Sequence, residues 1–121
     1  MRAIVIVQRN VPLLQASFPF PVLPVDGPAY VYVMGWPRRR WSKVGSTHDL
    51  RSRLRSILSE SQTQELALYF ALEHARYRKV ERQVQLLLGE ARAICERFRV
   101  TPECAIAAVR KVIAAEGEPQ P

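Results

Sequence analysis

The sequence has few cysteines, and the two that it has do not form a metal-binding pair. Only Cys95 and Cys104 occur among 121 residues, and they lack the spacing of a zinc or redox motif. The two histidines, His48 and His74, add no spacing that is typical of a metal site. We therefore expect no disulfide framework and no structural zinc, and we interpret both cysteines as reduced core residues of a cytoplasmic protein.

Long hydrophobic runs are also missing. The longest apolar run, residues 66–72, is much shorter than the roughly 18 residues that cross a bilayer as a helix. At the start of the chain residues 3–7 are apolar, whereas a secretory signal has a hydrophobic region of about 7–15 residues. We therefore expect no membrane partner, and we interpret the start of the chain as a strand.

Acidic residues are scarce compared with basic ones. The chain has 18 lysines and arginines against 11 aspartates and glutamates, so its formal net charge is +7. Most of this excess lies in residues 38–55, where Asp49 is the only acid and the basic residues are Arg38, Arg39, Arg40, Lys43, Arg51, Arg53 and Arg55. A local positive field attracts a polyanion such as nucleic acid. The simpler alternative is a solvated basic face.

Proline divides the chain into three parts. Residues 12–28 contain five of the nine prolines, and proline fixes φ and removes a backbone donor. We therefore assign residues 1–28 to an N-terminal strand and a proline-rich arm. Residues 29–116 form one globular domain, and residues 117–121 form a disordered tail.

The first half of this domain predicts a β-hairpin followed by a helix. Residues 29–34 are β-branched and aromatic, and residues 41–46 predict the returning strand, with the arginine run at the hairpin tip. Ser46 or Thr47 is expected to cap the helix, with Asp49 in its first turn. Its apolar stripe comprises Leu50, Leu54, Ile57 and Leu58.

The second half predicts one more strand and two more helices. Residues 66–72 favour a strand, a second helix begins near Arg76, and a third begins at Pro102 after Thr101. The apolar stripe of the second helix comprises Val80, Val84, Leu87, Leu88 and Ala91. The order β-β-α-β-α-α predicts an α+β fold with a small, mostly antiparallel three-stranded sheet flanked by helices.

Four residues of these elements suit phosphodiester cleavage. Tyr32 and Lys43 lie on the two strands of the hairpin, and Arg53 and Glu81 border the apolar stripes of the first two helices. A carboxylate can hold a divalent metal, an arginine can stabilise charge on a phosphoryl group, and a tyrosine can accept a proton. Each residue also has a simpler interpretation, as core packing for Tyr32 and as a solvated surface residue for Arg53 and Glu81.

The pattern resembles the GIY-YIG nucleases, in the phage-type branch that has a lysine in the second motif. The resemblance covers residues 29–113. Tyr30-Val31-Tyr32 stands in place of Gly-Ile-Tyr, and Lys43-Val44-Gly45 in place of Tyr-Ile-Gly. Arg53-Leu54 resembles the helix with the catalytic arginine, Val80-Glu81 resembles the helix with the metal-binding glutamate, and residues 96–106 resemble the C-terminal signature.

The resemblance implies hydrolysis of a DNA phosphodiester with one Mg²⁺ or Mn²⁺ ion. Tyr32 would act as the general base, Lys43 would assist it or contact phosphate, Arg53 would stabilise the transferred phosphate, and Glu81 would ligate the metal. We expect the remaining basic residues of the cluster to contact the nucleic-acid backbone, namely Arg38, Arg39, Arg40, Arg51 and Arg55.

Departures from the family pattern leave two other functions open. Tyr30 replaces a glycine, and Gln85 stands where this branch often has histidine. The chain could therefore be a GIY-YIG-like module that has lost catalysis and binds DNA or a partner protein. A basic accessory protein that contacts structured RNA is a third possibility. The proline-rich arm could dock on the sheet edge, on a partner protein or on a second copy in a homodimer.

Overall fold

The structure is a computed structural model, and it describes residues 4–5, 11–12, 20–35, 40–61, 67–89, 92–94 and 97–116. In chain order the elements are β1 (Ile4–Val5), β2 (Val11–Pro12), β3 (Ala29–Gly35), β4 (Ser42–Thr47), α1 (Leu50–Ser61), β5 (Ala67–His74), α2 (Tyr77–Leu87), β6 (Arg92–Ile94), β7 (Arg97–Phe98) and α3 (Pro102–Glu116). Some of the sequence predictions concern residues outside these ranges. They are the nucleic-acid contacts Arg38 and Arg39, the core residue Cys95 and the tail 117–121.

The centre of the sheet consists of three long antiparallel strands, with β3 between β5 and β4. Short strands extend both sides, because β1 and β2 pair with β5 while β7 pairs with β4 and β6 pairs with β7. The predicted α+β class with a small antiparallel sheet and three flanking helices is confirmed.

Helices cover both faces of this sheet, so the protein has two hydrophobic cores. On one face Val31, Val33 and Val44 pack with buried residues of α2 and α3. On the other face Tyr32 and Met34 pack with α1 through Leu50, Leu54 and Ile57. Strand alternation sends successive β3 side chains to opposite faces, so β3 is apolar throughout and fully buried.

The helix starts follow from local capping. Thr101 Oγ1 accepts a hydrogen bond from the Cys104 backbone N–H at 3.2 Å, so the predicted start of α3 is confirmed. The expected cap of α1 by Ser46 or Thr47 is wrong. Asp49 caps α1, because its Oδ1 accepts from the Ser52 N–H at 3.1 Å, while Thr47 Oγ1 accepts from the Asp49 N–H at 3.1 Å. The carboxylate satisfies a donor inside the first turn that the threonine leaves unpaired.

Two burial expectations are wrong. Leu87 is 48% exposed, because α2 turns Val80, Val84 and Leu88 toward the sheet and leaves Leu87 beside α3. Cys104 is exposed and is a free cysteine, because it lies on the outer side of the first turn of α3. The stripe of α3 that the spacing predicts is confirmed, since Ile106, Val109, Val112 and Ile113 are all buried.

The described part of the proline-rich arm packs on the α1 side of the sheet. The Phe20 ring meets the Tyr30 ring edge-on, with centroids 5.7 Å apart, and the Leu23 N–H donates to the His48 carbonyl at 2.8 Å. Further upstream, β1 and β2 pair with β5. The described parts of the arm therefore contact the domain of their own chain.

Gly35 ends β3 at a point where the backbone of Trp41, just before β4, and Pro102 at the start of α3 come close. A Cβ there would lie 2.5 Å from Pro102 Cγ and 3.0 Å from the Trp41 carbonyl oxygen. We expect Gly35→Ala to lower the free energy of unfolding by about 1–3 kcal/mol, because the backbone oxygen cannot move away without shifting the hairpin. Urea denaturation measures this change.

Gly89→Ala is the matched control, since a Cβ at Gly89 has no neighbour within 4 Å. We expect it to change stability by about 0.5 kcal/mol or less. Equal effects of the two substitutions would show that the contact at Gly35 is not tight.

Candidate functional site

Tyr32 and Arg53 form the best-defined polar contact of the site. Tyr32 lies in the middle of β3, opposite Gly45 on β4 and Ala71 on β5. These two small neighbours leave room for the ring on the α1 face of the sheet. Arg53 Nε donates a hydrogen bond to the Tyr32 hydroxyl oxygen at 3.2 Å. The contact fixes the direction of the guanidinium, which lies on the flank of α1 that the helical spacing predicts.

Lys43 shares that face of the sheet. It pairs with Met34 across the hairpin, two positions from Gly45, and Met34 belongs to the core against α1. The side chain is only 8% exposed. Its position comes from the strand register, which puts Tyr32 and Lys43 on the same side of neighbouring strands. The structure thus gathers Tyr32, Lys43 and Arg53 on the α1 face.

Glu81 lies on the other face, where α2 covers the sheet. Its Oε1 accepts a hydrogen bond from Ser46 Oγ at 2.6 Å, and its Oε2 accepts one from Gln85 Nε2 at 3.1 Å. Ser46 follows Gly45 on β4 and pairs with Val31, whose side chain belongs to the core against α2 and α3. The carboxylate is therefore held from two sides by neutral donors.

The polar groups on the two faces lie on either side of β4, near its outer edge. In the described ladders, β7 pairs with β4 only at Ser42 and Lys43, so the edge beyond Lys43 has no strand on it there. Gly45 is the cross-strand neighbour of Tyr32, and the next residue, Ser46, binds Glu81. Three sequence-predicted residues thus take part in two contacts, Tyr32–Arg53 and Ser46–Glu81, on opposite sides of one short backbone segment.

Tyr30 is a structural residue of the arm and the sheet. Its hydroxyl donates to the Pro21 carbonyl oxygen at 2.7 Å. Burial, and secondarily the Glu73 carboxylate, which lies directly across from it on β5, raise the pKa of Tyr30 to about 12. A phenol with this pKa stays protonated at neutral pH. The tyrosine that replaces the first glycine of the motif therefore anchors the arm.

His48 joins three parts of the chain beside the site. Its Nε2 lies 3.2 Å from the Gly27 carbonyl oxygen, and its ring meets the Tyr77 ring edge-on at 5.2 Å. This imidazole links the arm and the start of α2 to the segment between β4 and α1. The arginines expected to contact the nucleic-acid backbone differ in exposure. Arg40 and Arg55 are exposed, whereas Arg51 is half-buried.

Sequence reasoning missed Ser46 and Gln85 as partners of Glu81. The signal for Gln85 was available, because residues four apart share a helix face. The signal for Ser46 was not, because its contact with α2 depends on how the helix crosses the sheet. The same packing puts Glu81 on the opposite face from Tyr32.

The residues present fit a metal only of a particular kind. The described part of the chain contains no group of three or more His, Cys, Asp or Glu side chains that could hold a metal ion. Glu81 is a single carboxylate with one described hydrogen bond on each oxygen, and an ionised carboxylate has about four acceptor positions. This fits Mg²⁺, which keeps several waters and is commonly held by one or two carboxylates together with substrate phosphate.

The fold and the site define a small α+β domain with a polar edge between two helices. The family model of the T5orf172 domain matches residues 29–113, from β3 into α3. The chain belongs to the T5orf172 domain family, which occurs in phage-type nuclease-like proteins and is often linked to GIY-YIG-like and HNH-like endonucleases. No curated protein and no solved structure matches this chain.

Across the ranges that the structure describes, no helix is both long enough and apolar enough to span a bilayer.

The raised pKa of Tyr30 predicts a loss of stability at alkaline pH. The unfolded chain releases the Tyr30 proton near pH 10, whereas the folded protein keeps it until about pH 12. This contribution is fully present below pH 10 and is lost as the pH rises toward 12. We expect the stability difference between wild type and Tyr30→Phe to shrink by on the order of 2 kcal/mol across this window.

Urea denaturation of both proteins at several pH values from 9 upward measures that difference. Ionisation of the other tyrosines and lysines cancels in the comparison. Parallel stability curves for the two proteins would contradict the assigned environment of Tyr30.

Proposed function

We propose that this protein is a metal-dependent DNA endonuclease that hydrolyses phosphodiester bonds by a GIY-YIG-type mechanism. The observation that carries the proposal is the pair of contacts on either side of Gly45 and Ser46. Arg53 is fixed by Tyr32 on one side, and Glu81 is fixed by Ser46 on the other. Membership of the T5orf172 family supports a nuclease-like or DNA-binding role.

Arg53 is the proposed electrophilic residue. A guanidinium carries a permanent positive charge and presents several donors in one plane, which matches the oxygens of a phosphoryl group. Its Nε donates to Tyr32, and the four N–H groups on its two Nη atoms are further donors that this hydrogen bond does not use. A side chain whose direction is fixed before substrate arrives loses less freedom when the negative charge develops.

Tyr32 is the proposed general base, with Lys43 beside it. The hydrogen bond from Arg53 reaches the phenolic oxygen, and a nearby cation stabilises the charge that this oxygen would carry after losing its proton. Tyr32 is 0% exposed, so this role requires the attacking water to reach the hydroxyl along the Arg53 side chain. Lys43 adds a second positive charge on the same face.

Glu81 is the proposed ligand of one Mg²⁺ or Mn²⁺ ion. When bound, such an ion would polarise the phosphoryl oxygen and stabilise the leaving oxygen. Ser46 and Gln85 keep the carboxylate in one orientation, as the hydrogen-bond partners of metal ligands commonly do. The proposed substrate is DNA in the cytoplasm. The residues proposed to hold its backbone are Arg38, Arg39, Arg40, Arg51 and Arg55.

A DNA-binding module that has lost catalysis is the second candidate. Two observations favour it: Tyr32 is completely buried, and Gln85 stands where the phage-type branch often has histidine. Such a module would bind DNA with a strong salt dependence and leave it intact. Cleavage assays separate the two functions directly.

Plasmid nicking with Mg²⁺ or Mn²⁺ tests the enzyme proposal. We expect wild type to nick, and we expect Glu81→Gln and Arg53→Lys each to lower the rate by about 100-fold or more. Glu81→Gln keeps the size of the side chain and removes its charge, and Arg53→Lys keeps the charge and removes the planar fork. Arg110→Ala, an exposed residue of α3, is the control and should leave the rate unchanged.

Two results would overturn the proposal. One is a wild type that binds plasmid without nicking it under either metal. The other is a pair of variants that cut as fast as wild type.

Ser46→Ala tests whether the Ser46–Glu81 contact supports metal binding. The hydroxyl donates to Oε1 at 2.6 Å, so its removal frees the carboxylate to rotate. We expect Mn²⁺ affinity to fall by about 10–100-fold, measured by isothermal titration calorimetry or by the loss of the free-ion signal in electron paramagnetic resonance.

Ser56→Ala, at an exposed position of α1, is the matched control and should bind Mn²⁺ like wild type. If Ser46→Ala and Ser56→Ala bound Mn²⁺ equally well, the serine would have no part in holding a metal ligand.

A further inference from the structure

The candidate metal ligand belongs to a polar stripe along α2. Arg78, Glu81, Arg82 and Gln85 follow the spacing i, i+3, i+4, i+7, so they span about 100° of the helix circumference. Ser46 on β4 marks the direction of this stripe, because it binds Glu81. We call these four residues the α2 stripe.

The other sides of α2 face the sheet and α3. Val80 and Val84 are buried against the sheet. Gln83, Leu86 and Leu87 line a groove against α3 together with Val112 and Ala115. Within the α2 stripe, Glu81 and Gln85 lie nearer the sheet, where Ser46 of β4 binds Glu81, and Arg78 and Arg82 are exposed on the solvent side.

The positive charges of α2 fall into two groups. Arg76 and Lys79 lie 3.8 Å and 3.3 Å from the Glu116 carboxylate of α3, so an acid partly neutralises them. Arg78 and Arg82 are exposed, and the described ion pairs of α2 include neither of them. The Arg78 guanidinium lies over the Tyr77 ring, 5.6 Å from its centroid, which restricts its motion.

We propose that Arg78 and Arg82 are a second phosphate-binding surface, which holds the backbone of duplex DNA beside Glu81. This inference rests on the proposed function, and it extends the DNA contact from α1 and the hairpin to the opposite face of the sheet. The two arginines are four residues apart, about 6 Å along the helix axis, with Glu81 between them in sequence. Duplex DNA offers closely spaced phosphates to such a pair.

The placement also sets the path of the duplex. α1 and α2 cover opposite faces of the sheet, and the outer edge of β4 beyond Lys43 lies between them. Arginines of α1 and of α2 therefore flank this edge on both sides. A duplex that lies across the edge contacts both groups, whereas one that lies flat on either helix contacts only one of them.

Fluorescence anisotropy with a labelled duplex of about 24 base pairs tests this surface. EDTA is present, so that binding is measured without cleavage. We compare the salt dependence of binding for wild type, Arg78→Ala/Arg82→Ala, the charge-matched control Arg110→Ala/Lys111→Ala on the exposed side of α3, and Arg78→Lys/Arg82→Lys.

We expect the α2 double-alanine variant to lose about two units of slope in log K against log salt, and to bind at least about tenfold more weakly near 0.15 M salt. The α3 control should keep the wild-type slope, and the lysine variant should keep most of it. Thermal melting checks that each variant is folded. Equal slopes for the two double-alanine variants would overturn the surface, as would tighter binding of a duplex RNA of the same sequence.

The outcome is separable from that of the proposed function. If wild type nicks plasmid and the α2 double-alanine variant keeps its slope, the surface is wrong and the enzyme proposal stands. If that variant loses its slope and wild type never nicks, the surface stands and the enzyme proposal fails. If wild type binds duplex DNA without any salt dependence, the surface is overturned, and the nicking assay alone decides the enzyme proposal.

Discussion

The double burial of β3 is the constraint on which the rest of the molecule depends. A strand covered by helices on both faces must send apolar side chains to both, and β3 does so with Val31 and Val33 on one side and Tyr32 and Met34 on the other. Polar chemistry cannot sit in either core unless it is paired. The polar contacts of the candidate site therefore lie around β4, the strand next to β3, near its outer edge beyond Lys43 in the described part of the sheet.

Gly45 leaves room for a polar group beside β4. Because Tyr32 faces Gly45 and Ala71 across the two ladders, its hydroxyl can extend along the sheet and accept the Arg53 hydrogen bond instead of being blocked by a larger neighbour. The side chain of the next residue, Ser46, points to the opposite face of the sheet, where its hydroxyl donates to Glu81. Gly45 and Ser46 thus give access to opposite faces of the sheet. This is how Arg53 of α1 and Glu81 of α2 can both lie near the edge of β4 although the sheet separates them.

The fold could largely be predicted, because it follows from periodicity. The stripes Leu50–Leu54–Ile57 and Ile106–Val109–Val112–Ile113 and the Thr101 cap are all local patterns. Leu87 was misjudged because a helix that packs on both a sheet and another helix has no single apolar centre. In the site, the flank of Arg53 was predictable from helical spacing, but the roles of Ser46, His48 and Asp49 were not. These depend on tertiary contacts or on which of several capping oxygens reaches an N–H.

The net charge of +7 says less about function than which basic residues have an acidic partner nearby. Four basic residues lie just before α2 or within its first six residues, and the Glu116 carboxylate of α3 contacts two of them. The other two remain beside Glu81, whose carboxylate is held by the neutral donors Ser46 and Gln85. Neutral donors orient an anion without cancelling its charge, so these two hydrogen bonds do not weaken the proposed attraction of the carboxylate for a cation or of the arginines for phosphates. A carboxylate paired directly with Arg78 or Arg82 would serve neither purpose, because the two charges would satisfy each other before any ligand arrived.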